Sequence, residues 1–354
     1  MSRLYINTKA AFLRSGFGQA IRRLKHYISY KEADALKYVN ETWPDATEAE
    51  KKEIVKDMMK EARKHEVVFE EYVFHHFREK SEEERRAYIP ILEGAGYCER
   101  LNQPKNQIIF DDKGNTYKVF KKYYKRDLVE VLKWTEEETN GFKAFVNKHP
   151  RFIIKPFSGA NGRGIRIVDL AEEGPIDKLC KALQSEFKGG FVAEQLIIQA
   201  KELSAVNASS VNTMRVITIR MDDRVEVLPC VWRVGQGGKC VDNGGSGGIF
   251  CLLDENGVVV STADEKGRAY EIHPDSKIPL IGFRVPRYQE AKEFAKELTT
   301  VVPTNRYCGW DIALTEDGWV LQEANSHGGI VAIQCPLGRG LRKEMDALMK
   351  ELGL

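Results

Sequence analysis

A hairpin near the carboxyl end constrains the fold more than any other segment. The stretch GWDIALTEDGWVLQEANSHGG at 309–329 contains two runs with strand character, 309–315 and 319–325. The residues Glu316-Asp317-Gly318 between them predict a three-residue loop, with glycine last, where a left-handed conformation is needed. The segment therefore predicts two adjacent antiparallel strands.

The predicted register brings oxygen-bearing side chains together on one face. If Thr315 faces Trp319, then Asp311 lies directly opposite Glu323. Asn325 shares the face of Glu323, because side chains alternate along a strand. Two carboxylates and an amide oxygen form a ligand set that a hard cation such as Mg²⁺ prefers. The competing interpretation is a solvated sheet face. The hairpin alone does not distinguish it from a cation site, so other segments of the chain are needed.

The bulk composition excludes several classes of protein. The 354 residues are enough for about two domains, and a net charge of +2 gives no general attraction for nucleic acid. The seven cysteines form no CxxC pair, which favours a reducing cytoplasm over a disulfide framework. No apolar run reaches the roughly 20 residues that a membrane span needs. We therefore expect a cytoplasmic protein without a nucleic-acid partner.

Residues 1–30 form a basic segment with two interpretations. The first 31 residues contain no acidic side chain, and their bulky apolar residues recur at near-helical spacing. One interpretation is an amphipathic helix that rests on anionic lipid and makes the protein peripheral to a membrane. The other is a helix packed on its own protein with its basic side in water. We favour the second.

The following region, 31–105, is rich in Glu, Lys and Ala and predicts helices. Asp45 or Thr47 is suited to be the N-cap of one long helix, and Ser81 the N-cap of another. The Gly-Ala-Gly segment at 94–96 predicts the end of the helical run.

From about residue 106 the pattern changes to alternating strands and helices. The segments IIFDD at 108–112 and TYKVF at 116–120 predict short strands, and 126–149 predicts a helix. We divide this part of the chain into two subdomains, 106–200 and 201–354.

Lys155 ends a predicted strand and is followed by a glycine-rich loop, PFSGANGRG at 156–164. Glycines let backbone N–H groups approach an anion closely. The loop returns into a strand, which excludes both the P-loop and the dinucleotide fingerprint GxGxxG, since those motifs open a helix. A glycine flap beside a strand-end lysine is suited to covering a triphosphate.

Two arginines lie among apolar residues on predicted strands, Arg215 in NTMRV and Arg233 in CVWRV. A buried guanidinium needs an anionic partner and pairs well with phosphate or carboxylate in a two-pronged contact. The two interpretations are a ligand phosphate and a structural ion pair with a core Asp or Glu.

Five motifs, taken in order, resemble the ATP-grasp superfamily. They are FIIKPFSGANGRGI, FVAEQLI, NTMRVITI, WRV…DNGGSGGI and GWDIALTEDGWVLQEANSHGG. The spacing of the arginines resembles that of glutathione synthetases and glutamate-adding ligases. The phrase SSVNTMRVIT, together with the helical N-terminal region, resembles the sugar-transfer-associated ATP-grasp group, which is often found with polysaccharide genes. The resemblance covers roughly 106–340. It implies an α/β (α+β) ATP-grasp fold of two subdomains that grip ATP, preceded by a helical N-terminal region.

The resemblance also implies roles for individual residues. The phosphates of ATP would be held by Lys113 and Lys155, under a flap formed by Ser158, Gly159, Asn161 and Gly162. The hinge residues at the adenine would be Glu194, Gln195 and Ile197, and Glu202 would reach the ribose hydroxyls. Mg²⁺, or Mn²⁺ in its place, would be bound by Asp311, Glu323 and Asn325. The transferred phosphoryl group and the acyl intermediate would face Arg215, Arg233 and Asn243.

One position departs from the related D-alanine ligases. Those enzymes carry an arginine just before the metal aspartate, where this chain has Gly309-Trp310. That role is expected to pass to Arg215 or Arg233.

The activity implied is that of an ATP-dependent carboxylate–amine ligase that works through an acyl phosphate and releases ADP and phosphate. Its partners would be a small-molecule or glycan-linked carboxylate and an amine, with a link to cell-surface polysaccharide synthesis. The alternative is a kinase that transfers phosphate to a hydroxyl on the same platform. A third interpretation is an ATP-binding module without turnover.

Overall fold

The structure is a computed structural model that describes residues 28–157 and 164–354. Most of the basic segment 1–30 and the predicted flap residues lie outside the described residues; the flap residues are Ser158, Gly159, Asn161 and Gly162. Within the described ranges, no helix combines the length and the apolar character that crossing a membrane requires.

The N-terminal part of the chain is helical, as predicted. Its elements are α1 (Glu32–Thr42), α2 (Glu48–His65), α3 (Phe69–Phe74), a 3₁₀ turn (Phe77–Glu79), α4 (Glu82–Ala87) and α5 (Ile91–Leu101). Thr47 caps α2 and Ser81 caps α4; each forms a capping box with the glutamate three residues on. The predicted helix end at 94–96 is wrong, because both glycines lie inside α5. Burial of Tyr97 and Leu101 against the large sheet described below stabilises the helix past them.

Two predicted strands after residue 106 are also wrong. A 3₁₀ turn (Pro104–Asn106) leads into α6 (Gln107–Asp111), and α7 spans Lys113–Tyr124. The side chain of Asp112 accepts a hydrogen bond from the backbone N–H of Asn115 and so caps α7. Phe110, Tyr117 and Phe120 pack in the cluster on the large sheet, whereas Ile108 and Val119 are exposed.

A small antiparallel sheet follows. Its strands are β1 (Leu128–Val131), β2 (Arg151–Pro156), β3 (Arg166–Asp169) and β4 (Phe191–Gln195), in the order β1-β4-β2-β3. The helices are α8 (Glu136–Lys148), α9 (Leu170–Glu173) and α10 (Ile176–Glu186). The predicted helix 126–149 is therefore right only for its second half. Its first half pairs with β4 as an edge strand.

A second, seven-stranded antiparallel sheet forms the larger unit. Its strands are β5 (Met214–Arg220), β6 (Val225–Val227), β7 (Val231–Val234), β8 (Ile249–Leu253), β9 (Val259–Ala263), β10 (Tyr307–Thr315) and β11 (Gly318–Asn325). The order is β11-β10-β5-β7-β8-β9, with β6 beside β5. The helices are α11 (Lys201–Val206), α12 (Tyr288–Leu298), α13 (Val331–Leu337) and α14 (Arg342–Glu351), and a 3₁₀ turn spans Gly244–Ser246.

Both faces of the large sheet are covered by helices. On one face, Trp310 and Leu321 pack with residues of α7 and α12 in one buried cluster. On the other face, Ile217 and Tyr307 pack with residues of α5, α13 and α14. The small sheet has its own core with α8 and α10, in which Phe142 and Phe152 are fully buried. This α+β arrangement of two sheets agrees with the predicted fold class.

The hairpin is present, but its turn and register differ from the prediction. Thr315 pairs with Gly318 and Leu314 with Trp319, so the loop has two residues rather than three. Gly318 has a φ of 110°, which glycine adopts without strain. The predicted pairing of Asp311 with Glu323 is nevertheless correct, because a β-bulge shifts the register between Asp311 and Ile312.

Candidate active site

The β-bulge in β11 turns Glu323 toward the site. Leu321 lies on the apolar face covered by α7 and α12, and regular alternation would have placed Glu323 on that same face. Ile312 pairs with Leu321 and Asp311 with Glu323, which leaves Gln322 as the extra residue. A shift of one residue in the strand register moves the following side chains to the opposite face of the sheet. Glu323 and Asn325 therefore lie on the same face as Asp311.

A cavity of about 860 Å³ lies between the two sheets. The small sheet contributes Lys155 and Glu194, and the large sheet contributes Arg215, Arg233 and Asp311. Other predicted site residues that line it are Lys113, Gln195, Ile197, Asn243, Glu323 and Asn325. The fold therefore brings together side chains that are separated by up to about two hundred positions in the chain.

Asp311 is the electrostatic centre of the large-sheet wall. The Nε and Nη2 atoms of Arg215 donate to its two carboxylate oxygens at 2.5 and 2.9 Å. Arg233 Nη2 lies 2.9 Å from Asp311 Oδ2. Burial alone would raise the pKa of Asp311, but the two guanidiniums outweigh burial and hold this pKa below its usual value. Each arginine therefore forms a structural ion pair with a core carboxylate. Each also lines the cavity, where it could bind a ligand phosphate.

Arg233 has a second set of partners behind the cavity wall. Its Nε and Nη2 atoms donate to Thr213 Oγ1 at 3.0 and 2.6 Å, and its Nε lies 3.6 Å from Asp242 Oδ2. The backbone N–H of Thr213 donates to the same Asp242 oxygen at 2.8 Å. These bonds fix the start of the glycine-rich segment in which Asn243 faces the cavity.

A buried ion cluster forms the opposite wall. Glu194 Oε2 accepts from Lys155 Nζ at 3.0 Å and from Arg126 Nη2 at 2.8 Å. Burial raises the pKa of Glu194, but Lys155 and Arg126 more than offset this effect and lower it to about 2. Sequence reasoning missed Arg126, because it lies in the basic run KKYYKRD and belongs to no motif.

Two of the other residues predicted to bind the nucleotide line the cavity, and a third does not. Lys113 lines the cavity from the first turn of α7. Gln195 also lines it, and its side-chain oxygen accepts from the backbone N–H of Asp127 at 3.2 Å. Glu202 is exposed in the first turn of α11 and is not among the cavity-lining residues. Its contact with a ribose stays a prediction.

The helical N-terminal region lines part of the cavity, which the sequence did not predict. Glu70, Glu71, Phe74 and Ile91 all line it. Glu71 is fully buried, and its carboxylate accepts from the backbone N–H groups of Val68 and Ile91 at 3.1 and 2.7 Å. Burial outweighs these hydrogen bonds and raises the pKa of Glu71 to about 7.

This raised pKa predicts a pH-dependent loss of stability. A carboxyl with a higher pKa in the folded state stabilises that state below the unfolded pKa, near 4.5, and this contribution is lost as the pH rises to about 7. Thermal unfolding from pH 4 to 8 should show wild type losing up to about 3 kcal/mol relative to Glu71→Gln. Glu83→Gln, at an exposed residue of α4, is the matched control. Parallel profiles for wild type and Glu71→Gln would contradict the prediction.

The predicted donor set for a cation includes an amide. Within 28–157 and 164–354, no group of three His, Cys, Asp or Glu side chains is arranged to hold a metal. The predicted set of Asp311, Glu323 and Asn325 supplies two carboxylates, and Asn325 Nδ2 lies 3.5 Å from Asp311 Oδ2. Rotation of this amide presents its oxygen instead of its nitrogen. The residues therefore fit a hard divalent cation that keeps further positions for other oxygen ligands.

Two antiparallel α+β units, with a lysine on one wall and a carboxylate with two arginines on the other, form the arrangement expected of an ATP-grasp protein. A family model described as sugar-transfer associated ATP-grasp matches residues 93–350. The chain belongs to this family. Membership confirms the predicted family and the ATP-grasp fold class.

Solved structures with a similar fold include three ligases. The ATP-grasp ligase PsnB, complexed with a minimal precursor, Mg and ADP, is 14% identical with a TM-score of 0.42, over 72% of this chain and 62% of that chain. D-alanyl-alanine synthetase A from Vibrio cholerae O1 biovar eltor is 11% identical with a TM-score of 0.45, over 71% and 67%. D-alanine–D-alanine ligase from Helicobacter pylori is 15% identical with a TM-score of 0.42, over 70% and 61%. The chain thus spans less than two thirds of the length of PsnB. No curated protein matches the chain.

Proposed function

We propose that this protein is an ATP-dependent ligase that joins a carboxylate to an amine through an acyl phosphate and releases ADP and phosphate. The observation that carries the proposal is the pairing of Asp311 with both Arg215 and Arg233 on one wall of a cavity whose other wall holds Lys155. Such a site concentrates positive charge where a triphosphate and a carboxylate would meet.

The proposed chemistry assigns each group a role. A carboxylate is a poor acyl donor until phosphorylation gives it a good leaving group, and phosphoryl transfer depends mainly on positioning and on neutralising spread negative charge. Lys155 would bind the nucleotide phosphates, and Arg215 and Arg233 would bind the transferred phosphoryl group and the acyl carboxylate. Asn243 lines the same cavity and would contact the intermediate.

Mg²⁺ would be held by Asp311, Glu323 and Asn325, the three oxygen-bearing side chains on the site face of the hairpin. When bound there, the cation neutralises charge on the phosphate oxygens. Arg215 and Arg233 contact the same Asp311 carboxylate. They would therefore lie beside the cation and the phosphates that it contacts.

The second substrate would bind against the part of the cavity that the N-terminal helices line. Glu70, Phe74 and Ile91 give this end both acidic and apolar surface, which suits an amine carried on a larger molecule. Membership in the sugar-transfer-associated family supports a glycan-linked substrate and a link to polysaccharide synthesis. Because the reaction consumes ATP, we propose a cytoplasmic location.

Product analysis tests the reaction type. We expect ADP and phosphate to appear only when a carboxylate and an amine are both present, in a screen that pairs amino acids and uronic sugars with amines. Release of AMP and pyrophosphate would contradict the proposal. A kinase would release ADP with a hydroxyl substrate alone, and hydroxylamine separates the two because only an acyl phosphate yields a hydroxamate.

A further inference from the structure

Arg126 joins the two walls of the nucleotide cavity. It lies just before β1, is buried, and its guanidinium stacks on Tyr124 at 4.4 Å. On the small-sheet side, Nε and Nη2 donate to Glu194 Oε2 at 3.2 and 2.8 Å. On the large-sheet side, Nη1 donates to the carbonyl of Leu321 at 2.6 Å, and Nη2 lies 3.4 Å from that of Gln322. One side chain therefore bonds to both sheets.

The carbonyls that Arg126 binds belong to the β-bulge. Gln322 is the extra residue that turns Glu323 from the apolar face to the site face. A bulge leaves ladder groups without their strand partner, and a buried carbonyl without a donor costs free energy. The planar fork of Arg126 supplies donors to two adjacent carbonyls at once, a geometry that a lysine does not reproduce. Arg126 thus stabilises the bulge that aims Glu323.

The carboxylate that Arg126 binds also binds Lys155. A buried carboxylate keeps a cationic partner because leaving it unpaired is costly. With Arg126 in place, Lys155 can turn from Glu194 to a phosphate while Glu194 stays neutralised. Without Arg126, Glu194 would hold Lys155 as its only cationic partner among the described residues.

We propose that Arg126 is a positioning residue that frees Lys155 for the nucleotide phosphates and, through the β-bulge, aims Glu323 at the metal position. The proposal rests on the proposed function only in placing a nucleotide and its cation in this cavity, and it does not depend on the ligation step. It predicts two effects of Arg126 that can be separated, one on nucleotide affinity and one on cation affinity.

Binding measurements on four proteins and one control variant test the proposal. The proteins are wild type, Arg126→Met, Arg126→Lys, and the double variant Arg126→Met with Glu194→Gln. Calorimetric titration gives the affinity of wild type for MgATP and, in EDTA, the affinity of every protein for metal-free ATP. The signal of free Mn²⁺ gives the cation affinity of each protein when it is saturated with a non-hydrolysable ATP analogue. Arg342→Met is the matched control, because Arg342 also binds a carboxylate (Glu93) and backbone carbonyls yet does not line the cavity.

We expect Arg126→Met to weaken both affinities by about tenfold or more, because methionine cannot form the charge-assisted hydrogen bonds that the guanidinium donates. The double variant should recover affinity for metal-free ATP, because Lys155 is released, but not Mn²⁺ affinity, because the bulge stays unsupported. Arg126→Lys should retain affinity for metal-free ATP better than Mn²⁺ affinity, because it keeps the charge but loses the fork. Arg342→Met should lower melting temperature alone.

Two results would overturn the proposal. One is wild-type affinity for both ligands in Arg126→Met. The other is a parallel loss of both affinities that Glu194→Gln does not rescue, which would indicate a merely structural arginine. Failure of wild type itself to bind MgATP would instead refute the proposed function.

Discussion

Asp311→Asn should lower turnover on the order of 10³-fold and also destabilise the fold. Asparagine cannot neutralise the guanidiniums of Arg215 and Arg233, which are both buried. Removing one partner of a buried charge pair costs about 3–5 kcal/mol, because the remaining charge is left uncompensated. The same substitution removes one of the two carboxylates available to a divalent cation at this site. Steady-state turnover and thermal unfolding measure the two effects independently.

Asp317→Asn is the matched control, since Asp317 is exposed in the turn of the same hairpin. It should leave both turnover and melting temperature unchanged. If Asp311→Asn retained wild-type turnover, the carboxylate would have no part in catalysis. If it lost turnover at an unchanged melting temperature, the catalytic role would stand but the stabilising role of the ion cluster would not.

Lys155→Ala should cut turnover on the order of 10²-fold or more and weaken ATP binding, with a smaller effect on stability than Asp311→Asn. The difference follows from the partners that remain. Glu194 loses Lys155 but keeps the two bonds from Arg126, so its carboxylate stays neutralised in the core. Nucleotide titration and thermal unfolding of the same protein samples check both parts.

Lys148→Ala is the control for this prediction. Lys148 is a largely exposed lysine shortly before β2 and is paired with Asp127 at 2.6 Å. Pairs of this kind contribute little to stability, so the control should behave as wild type. ATP affinity unchanged in Lys155→Ala would remove this lysine from the nucleotide site.

The sequence predicted the hairpin carboxylates and, through the family motifs, the strand-end lysine and the two arginines that line the cavity. It missed Arg126 and the N-terminal helices, which belong to none of those motifs. Asp311 and Glu323 pair as expected, although two differences compensate each other: the turn is one residue shorter, and Gln322 forms a bulge. A bulge is stabilised by the donors that bind its unpaired carbonyls, and here that donor is Arg126, which lies just before a strand of the small sheet. No local sequence pattern predicts a binding partner so far away in the chain.

The mistaken strands have a similar cause. The bulky apolar residues of 108–112 and 116–120 have β-propensity, but both segments are helical, and Phe110, Tyr117 and Phe120 pack with the buried cluster of the large sheet. In contrast, α2 and α4 were predictable because Thr47 and Ser81 signal helix starts through local capping boxes. Capping residues could be recognised in the sequence alone. Tertiary packing that overrides secondary-structure propensity could not.

A crystal structure with Mn²⁺ and a non-hydrolysable ATP analogue, with the metal located by anomalous scattering, tests the metal site most directly. We expect Mn²⁺ to be bound by oxygens of Asp311, Glu323 and Asn325 at about 2.0–2.2 Å and to bridge to the terminal phosphates, with Lys155 on the same triphosphate. An anomalous peak elsewhere, with these three side chains distant from the phosphates, would contradict this expectation.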